Sequence, residues 1–306
     1  MHAPRQLPDT PAEPAAPPKR TDHVTLGILC MLGATVLFAG SSAVSKWQIE
    51  RYSFIEIVFL RTFTSLLTCF VLLVPRTGLK VFRTERLGGH AVRNVTQAVA
   101  QCLIIIAFGL MPLAGAIAIN FSAPLFATLF SALILREAVG AARWGALVVG
   151  FCGVLLVAAP GAESFRAGAL FAIANAVLYG AVTAAVRGMS STESAETLTM
   201  YQMVFLTGLY ALALPFAFTW PTPLDAAAMA INGVFNAVGQ YWWTRALLLA
   251  PASAVGPFYY FSLVWAMAIG FFVWGDVPTM WLLAGSAIVV ASGLFLLWHE
   301  TGRKTR

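Results

Sequence analysis

The 306-residue chain is too apolar to fold as a soluble domain. Hydrophobic residues make up 59% of it and charged residues 10%, with a mean hydropathy of +0.79; soluble domains carry about 25% charged residues, so lipid must cover the excess apolar surface. The net charge of +6 lies in short loops and tails rather than on one folded face, which argues against a nucleic-acid partner.

Residues 1–22 differ in composition from the chain that follows them. Six of the sixteen prolines lie between Pro4 and Pro18, among alanine, glutamate and basic residues. Such a segment cannot pack, and it is too polar for a signal peptide. We expect a disordered cytoplasmic tail at residues 1–22.

The next 276 or so residues divide into apolar segments, each long enough for a transmembrane helix of about 20 residues. Ten such segments can be counted, at residues 24–45, 54–75, 91–110, 112–135, 143–160, 167–187, 198–218, 225–248, 252–274 and 280–298. The predicted fold class is therefore an all-α integral membrane protein with ten transmembrane helices.

A sequence repeat divides these segments into two sets of five. Residues 93–112 and 232–251 are identical at seven of twenty positions, with Gln101 and Gln240 at an offset of 139. Further matches at offsets of 140 and 141 indicate a duplicated unit of about 140 residues. An odd number of spans per unit inverts the second unit in the membrane. The predicted units are five-helix repeats at residues 23–161 and 162–299, followed by a cytoplasmic tail at residues 300–306.

The distribution of lysine and arginine predicts that both termini are cytoplasmic, because cytoplasmic loops carry the excess of these residues. In that orientation fifteen of them lie inside and three outside, and Arg61 falls within a span. The three outside are Lys46, Arg51 and Arg166.

Motifs of ATP-driven pumps and of common enzymes are missing from the sequence. It contains no G-x-x-x-x-G-K-[ST] segment, no H-E-x-x-H and no glycine-rich dinucleotide loop. The four histidines lie in tails or at predicted membrane edges, and the four cysteines lie in apolar spans without ligand spacing. We therefore predict no catalytic residue, no metal site and no cofactor.

Polar residues form a stripe on each of two predicted helices. One face of the third span carries Asn94, Gln97 and Gln101, and one face of the eighth carries Asn232, Asn236, Gln240 and Trp243. The repeat places Gln97 opposite Asn236 and Gln101 opposite Gln240. These side chains are candidates for lining a central substrate cavity, while hydrogen bonding between helices is the alternative.

Arg61 is the most informative single residue of the sequence. It lies seven positions after Phe54, about 10 Å into the second span at a rise of 1.5 Å per residue. A charge at that depth is costly and indicates a functional site. Snorkelling of the side chain to the outer surface is the alternative.

Aromatic residues are dense in the eighth and ninth spans. The repeat places Asn120 of the fourth span at the position of Tyr259 in the ninth, so both are predicted to point inward. Tyrosine and tryptophan beside a polar stripe suit the stacking of a flat solute. A position in the aromatic belt at the membrane surface is the alternative.

Three stretches resemble the EamA-type branch of the drug/metabolite transporter superfamily. They are FLRT at residues 59–62 and the longer segments at 112–156 and 245–293. The resemblance implies two inverted five-helix repeats around a central cavity, a bacterial inner-membrane location and secondary transport by alternating access. Residues 250–260 are similar to riboflavin and S-adenosylmethionine transporter-like members, although Tyr259 stands where those members carry glutamine.

The expected function is secondary transport of a small organic metabolite, with uptake of a riboflavin-like or other heteroaromatic compound favoured. Export of amino acids or related metabolites is the first alternative, and a membrane-embedded enzyme acting on a lipid-linked substrate is the second. The expected partners are the substrate and the lipid bilayer. The sequence leaves open the coupling proton or ion and the oligomeric state.

Overall fold

The computed structural model of the chain describes residues 24–84, 86–134, 141–158, 163–189, 193–249 and 258–304. Every regular element in these ranges is a helix. The predicted tail at residues 1–22 lies outside the described residues. The α-helices are α1 Val24–Gln48, α2 Phe54–Thr77, α3 Leu87–Leu110, α4 Leu113–Asn120, α5 Ala123–Ile134, α6 Ala141–Ala158, α7 Glu163–Met189, α8 Ala195–Ala213, α9 Pro223–Leu249, α10 Phe261–Ile269 and α11 Met280–Lys304.

Within the described ranges, five helical segments are long and apolar enough to cross a bilayer: Thr25–Gln48, Phe54–Thr77, Leu87–Leu110, Arg166–Val186 and Glu196–Phe216. Shorter apolar helical segments lie at Leu113–Ala127, which a turn divides, and at Trp144–Val157, Phe261–Trp274 and Met280–Phe295. The 27-residue helix α9 is long enough to cross, but its polar stripe lowers its hydropathy. Helices overlap all ten predicted segments, and the number that cross the membrane stays a prediction.

The fourth predicted span, residues 112–135, is not one continuous helix. It is interrupted between Asn120 and Ala123. Ser122 turns the chain there, because its amide and its hydroxyl donate to the carbonyl of Ile119 at 3.0 and 2.7 Å. Proline at position 124 has no amide hydrogen for the carbonyl of Asn120, so a continuous helix would leave that carbonyl unpaired.

The ninth predicted span is interrupted at the equivalent position of the repeat. Residues 258–259 are helical, Tyr260 is a turn residue, and α10 follows it. Tyr260 lies 139 positions after Phe121, which is in the turn of the fourth span. A π-helical turn at Gly270–Trp274 then ends this span. Both interruptions therefore occur at matching positions in the two predicted repeats.

Helices of the two predicted repeats pack in matching pairs. α1 packs on α9, and its counterpart α7 packs on α3. α2 packs on α9, and its counterpart α8 packs on α3. The pairs α2 with α8 and α6 with α11 join counterparts to each other. The contacts that α1 and α2 make with α9 therefore match the contacts that their counterparts α7 and α8 make with α3.

Glycines let α6 and α11 cross with their backbones in contact. A Cβ atom on Gly153 would lie 2.9 Å from the carbonyl oxygen of Gly285, and a Cβ atom on Gly285 would lie 2.7 Å from that of Gly153. These distances are shorter than van der Waals contact, so only glycine fits at either position. Small residues allow such close approach where lipid supplies no hydrophobic force between helices.

Candidate functional site

Arg61 is buried inside the bundle and bonded to the third predicted span. Its Nη2 donates to Gln101 Oε1 at 2.7 Å, which links α2 to α3. Its Nε has no hydrogen-bond partner within the described parts of the chain. A guanidinium with a spare donor can bind a carbonyl, carboxylate or phosphate oxygen. Arg61 is thus a candidate ligand-binding group with Gln101 as its support.

Part of the polar stripe on α9 holds helices together. Asn232 Nδ2 donates to Ser45 Oγ at 2.9 Å, and the hydroxyl of Ser41 donates to Asn232 Oδ1. Asn236 Nδ2 donates to Ser65 Oγ at 3.2 Å. These bonds tie α9 to α1 and α2. For Asn232 and Asn236 the contacts favour interhelical hydrogen bonding over a cavity-lining role.

The remaining stripe residues lie in different surroundings. Gln97 is buried on α3, one turn before Gln101. Gln240 lines a cavity of about 300 Å³ between α2, α8 and α9, and neither Arg61 nor Gln101 lines that cavity. The structure therefore brings Arg61 and Gln101 together and places Gln240 in a separate cavity.

The two interrupted spans meet at an aromatic junction formed by Phe121, Tyr259 and Tyr260. The ring of Phe121 contacts Tyr259 edge-on, with centroids 5.7 Å apart, and Tyr260 edge-on at 5.1 Å. Beside it, Asn175 Nδ2 of α7 donates to Asn120 Oδ1 at 2.7 Å. Aromatic faces and paired amides therefore adjoin at the point where both helices are interrupted.

Trp243 extends this apolar region toward α1. It is partly buried and packs with Met31 and Ala246 in a cluster that also contains Tyr259. Tyr259 packs against the main hydrophobic core as well. Among the predicted site residues, Asn120, Trp243 and Tyr259 thus lie around the aromatic junction.

Sequence reasoning missed several buried polar groups on α3 and its neighbours. Arg93 is assigned to the surface by the charge rule, but its side chain is buried and its Nη2 donates to the carbonyl of Leu198 at 2.8 Å. The reason is that α3 begins at Leu87, earlier than the predicted 91. Tyr210 is also buried and donates to the carbonyl of Ala98 at 2.9 Å. Nothing in the spacing of these residues predicts the contacts.

An acidic residue joins loops at one end of the bundle, in what we term the Asp225 cluster. Asp225 Oδ2 accepts from Tyr52 Oη at 2.7 Å and from Thr222 Oγ1 at 2.8 Å. The Asp225 carbonyl accepts from Gln48 Nε2 at 3.2 Å. The cluster therefore holds the α1–α2 loop against the start of α9.

A second acidic residue joins loops at the other end, in what we term the Glu193 cluster. Glu193 Oε1 accepts from Thr84 Oγ1 at 2.5 Å, and its Oε2 lies 3.7 Å from His90 Nε2. This cluster holds the α7–α8 loop against the start of α3. Glu193 lies 141 positions after Tyr52, so the two clusters occupy matching places in the predicted repeats.

The EamA-like transporter family matches this chain over residues 25–159 and again over residues 166–298. Together the two matches cover most of the sequence. The chain belongs to this family. Its resemblance to the EamA-type branch of the drug/metabolite transporter superfamily is thereby confirmed, and this EamA-like protein is a multi-pass membrane protein.

Characterised relatives of this EamA-like protein are aligned over nearly their whole length. A riboflavin transporter of Vibrio cholerae is 30% identical, with 93% of this chain and 97% of the relative covered. A riboflavin transporter of Rhizobium johnstonii is 29% identical, with 93% and 95% covered. The pseudopaline exporter CntI of Pseudomonas aeruginosa is 27% identical, with 92% and 99% covered.

A solved crystal structure shares the fold. It superposes with a TM-score of 0.62 at 20% identity and covers 86% of this chain and 95% of its own. The family and the relatives point to a transporter of a metabolite rather than to an enzyme.

Proposed function

We propose that this protein is a secondary transporter of the bacterial inner membrane that takes up a riboflavin-like or other heteroaromatic metabolite by alternating access. The observation that carries the proposal is the aromatic junction, where two interrupted helices meet beside the Asn120–Asn175 amide pair. Interrupted helices mark the substrate site of many transporters. The relatives named as riboflavin transporters support the substrate class.

The chemistry of the junction suits a flat, polar-edged solute. Phe121, which is buried, and Tyr259, which is partly buried, supply aromatic rings for stacking or edge contact with a solute when the junction opens. Asn120 and Asn175 each carry an amide, which offers both donors and acceptors for the edge of a heteroaromatic ring. Arg61 is a further candidate away from the junction contacts, because its Nε has no partner within the described chain and can bind a carbonyl oxygen. We propose these residues, with Gln97, Gln101 and Trp243, as the substrate pathway, whereas Gln240 lines a separate cavity.

Two inverted five-helix repeats at residues 23–161 and 162–299 are part of the proposal. The matching packing pairs, such as α1 on α9 and α7 on α3, support it. So do the two separate matches of one family. With ten spans, an odd number per repeat places the second repeat upside down relative to the first.

The Asp225 and Glu193 clusters are proposed as the gates of alternating access. Each cluster joins a loop of one repeat to a helix start of the other, and the two lie at opposite ends of the bundle. Opening toward one side then requires breaking one cluster while the other stays closed. Switching between discrete arrangements of this kind is how packed helices open and close.

Purified protein is expected to gain thermal stability from riboflavin, because a ligand that binds only the folded state stabilises it by about 2.7 kcal/mol at 100 times its Kd. The measurement is a melting curve with riboflavin, S-adenosylmethionine and aromatic amino acids in parallel. Asn120→Ala is expected to lose the riboflavin shift. Phe216→Leu is the control, since that ring is 90% exposed at the surface. If amino acids stabilise the protein and flavins do not, the substrate belongs to the amino acids or related metabolites and not to the heteroaromatic compounds.

The direction of transport needs its own measurement, because the relative named as a pseudopaline exporter favours export as a second candidate. Right-side-out vesicles carrying the protein are expected to accumulate labelled riboflavin above vesicles without it. Accumulation only in inside-out vesicles would establish export instead.

Both termini are expected to lie in the cytoplasm, as fifteen of the nineteen lysines and arginines predict. Fusions of a fluorescent reporter that matures only in the cytoplasm should fluoresce at either terminus. Fusions of a phosphatase that is active only in the periplasm should be inactive there and active in the α1–α2 loop. An active phosphatase at the C-terminus would rule out ten spans with the N-terminus inside.

A further inference from the structure

The cavity that Gln240 lines, here termed the Tyr241 cavity, contains a pair of arginines that the proposed transport path does not use. It measures about 300 Å³, and Arg76 of α2, Tyr241 and Arg245 of α9 and Glu196 of α8 line it. The rest of its wall is mainly apolar and includes Leu73 and Leu249. The cavity lies at the end of the bundle where α2 and α9 finish and α8 begins.

Both guanidinium groups converge on one phenol. Arg76 Nη1 donates to Tyr241 Oη at 2.5 Å, and Arg245 Nη1 donates to the same oxygen at 2.9 Å. The guanidinium of Arg76 also lies 5.6 Å from the centre of the Tyr241 ring. Each guanidinium carries five N–H donors. Because the phenol engages only one nitrogen of each, the other donors are left for a ligand.

The charge of the cavity is not balanced. Two arginines face it and one carboxylate, that of Glu196, lines it. Neither arginine forms an ion pair in the described ranges. A neutral phenol cannot neutralise two cations. The cavity therefore has a net positive charge and attracts an anion.

We propose that the Tyr241 cavity is a binding site for an amphipathic phosphate, with the phosphate held by Arg76 and Arg245 and the apolar part against Leu73 and Leu249. Two guanidiniums from different helices can grip a phosphate with paired hydrogen bonds. The volume of about 300 Å³ exceeds what a bare inorganic anion needs and suits an attached apolar group. The site stands on this geometry alone and does not require the proposed riboflavin substrate.

An amphipathic phosphate has two sources, a soluble organic phosphate and the headgroup of an anionic lipid. Purified protein in phosphatidylcholine nanodiscs is titrated with 1-naphthyl phosphate, and in a second arm phosphatidylglycerol is added to the nanodiscs. The readouts are calorimetric affinity and melting temperature. Arg76→Gln and Arg245→Gln should each weaken binding of the probe that binds by about 10-fold or more, because each removes a charge-assisted hydrogen-bond donor to the phosphate.

Arg83→Gln is the matched control, because it removes the same charge from an exposed side chain that does not line the cavity. Arg245→Gln suffices if Arg76→Gln does not accumulate. Loss of 1-naphthyl phosphate binding in the cavity variants supports a soluble ligand, and loss of phosphatidylglycerol binding alone supports a lipid. The proposal is overturned if neither probe binds, if 1-naphthol binds as tightly as its phosphate, or if Arg83→Gln weakens binding equally.

Discussion

Replacing Arg61 with glutamine is expected to reduce transport about 10- to 100-fold while the protein still accumulates in the membrane. The change removes the charge and the spare Nε donor, and hydrogen bonds to a charged group are worth about 1.5–3 kcal/mol each. Glutamine still carries an amide donor on the face of α2 that bonds to Gln101 of α3 in the wild-type protein. The measurement is the initial rate of substrate uptake in vesicles, normalised to protein in the membrane.

Arg61→Lys separates the charge from the geometry of the guanidinium. Lysine keeps the positive charge but loses the planar fork of donors, so transport should be intermediate between wild type and Arg61→Gln. Arg83→Gln removes an exposed arginine and should transport normally. Normal transport by Arg61→Gln would show that the residue is not part of the substrate pathway, and failure of the variant to accumulate would make its role structural.

Much of the helical architecture could be predicted from apolar length alone. The predicted segments at residues 54–75 and 225–248 correspond to α2 and α9, whose ends differ by a few residues. The interruption at Phe121 could not be predicted in this way, because residues 112–135 contain no charged residue and are long enough for one continuous span. It depends on the hydrogen bonds that Ser122 donates to the carbonyl of Ile119 and on the amide hydrogen that proline at position 124 lacks.

The candidate site was only partly predictable for a different reason. Helical spacing identifies which polar residues share a face, but it does not identify their partners. Asn236 and Gln240 lie one turn apart on α9, yet one bonds to Ser65 and the other lines the Tyr241 cavity. The partner Ser65 is 171 positions away in the chain. Hydrogen-bond partners this far apart in the chain are determined by how whole helices pack against one another.

Arg61 and Arg93 show the same limit for charged residues. The depth of Arg61 in its span indicated an interior position, and the structure places its guanidinium against Gln101. Arg93 lies near the predicted end of its span, where the charge rule favours the surface. In the structure its side chain is buried and donates to the carbonyl of Leu198 on α8. Whether a charged side chain near a helix end is buried therefore depends on how the neighbouring helix packs against it.

Gly233→Ala is expected to have the largest effect on stability among single-methyl additions to α9. A Cβ atom at Gly233 would collide with the hydroxyl of Thr64 and lie 2.5 Å from the carbonyl oxygen of Arg61. A backbone oxygen cannot turn aside as a side chain can, so α9 must move away from α2. That movement would also break the bond from Ser65 Oγ to the Gly233 carbonyl, now 2.8 Å long.

Overpacking of this kind costs about 1–3 kcal/mol or more, which should lower the melting temperature of the purified protein by about 5 °C or more. Gly208→Ala is the matched control in α8, because a Cβ atom there has no neighbour within 4 Å. In an exposed helical position alanine is favoured over glycine by about 1 kcal/mol, so this variant should melt at or above the wild-type temperature. Equal melting temperatures for the two variants would mean that α2 and α9 are not in backbone contact at Gly233. Because Arg61 lies on the contacted turn of α2, a displaced α9 should also lower transport in the protein that remains folded.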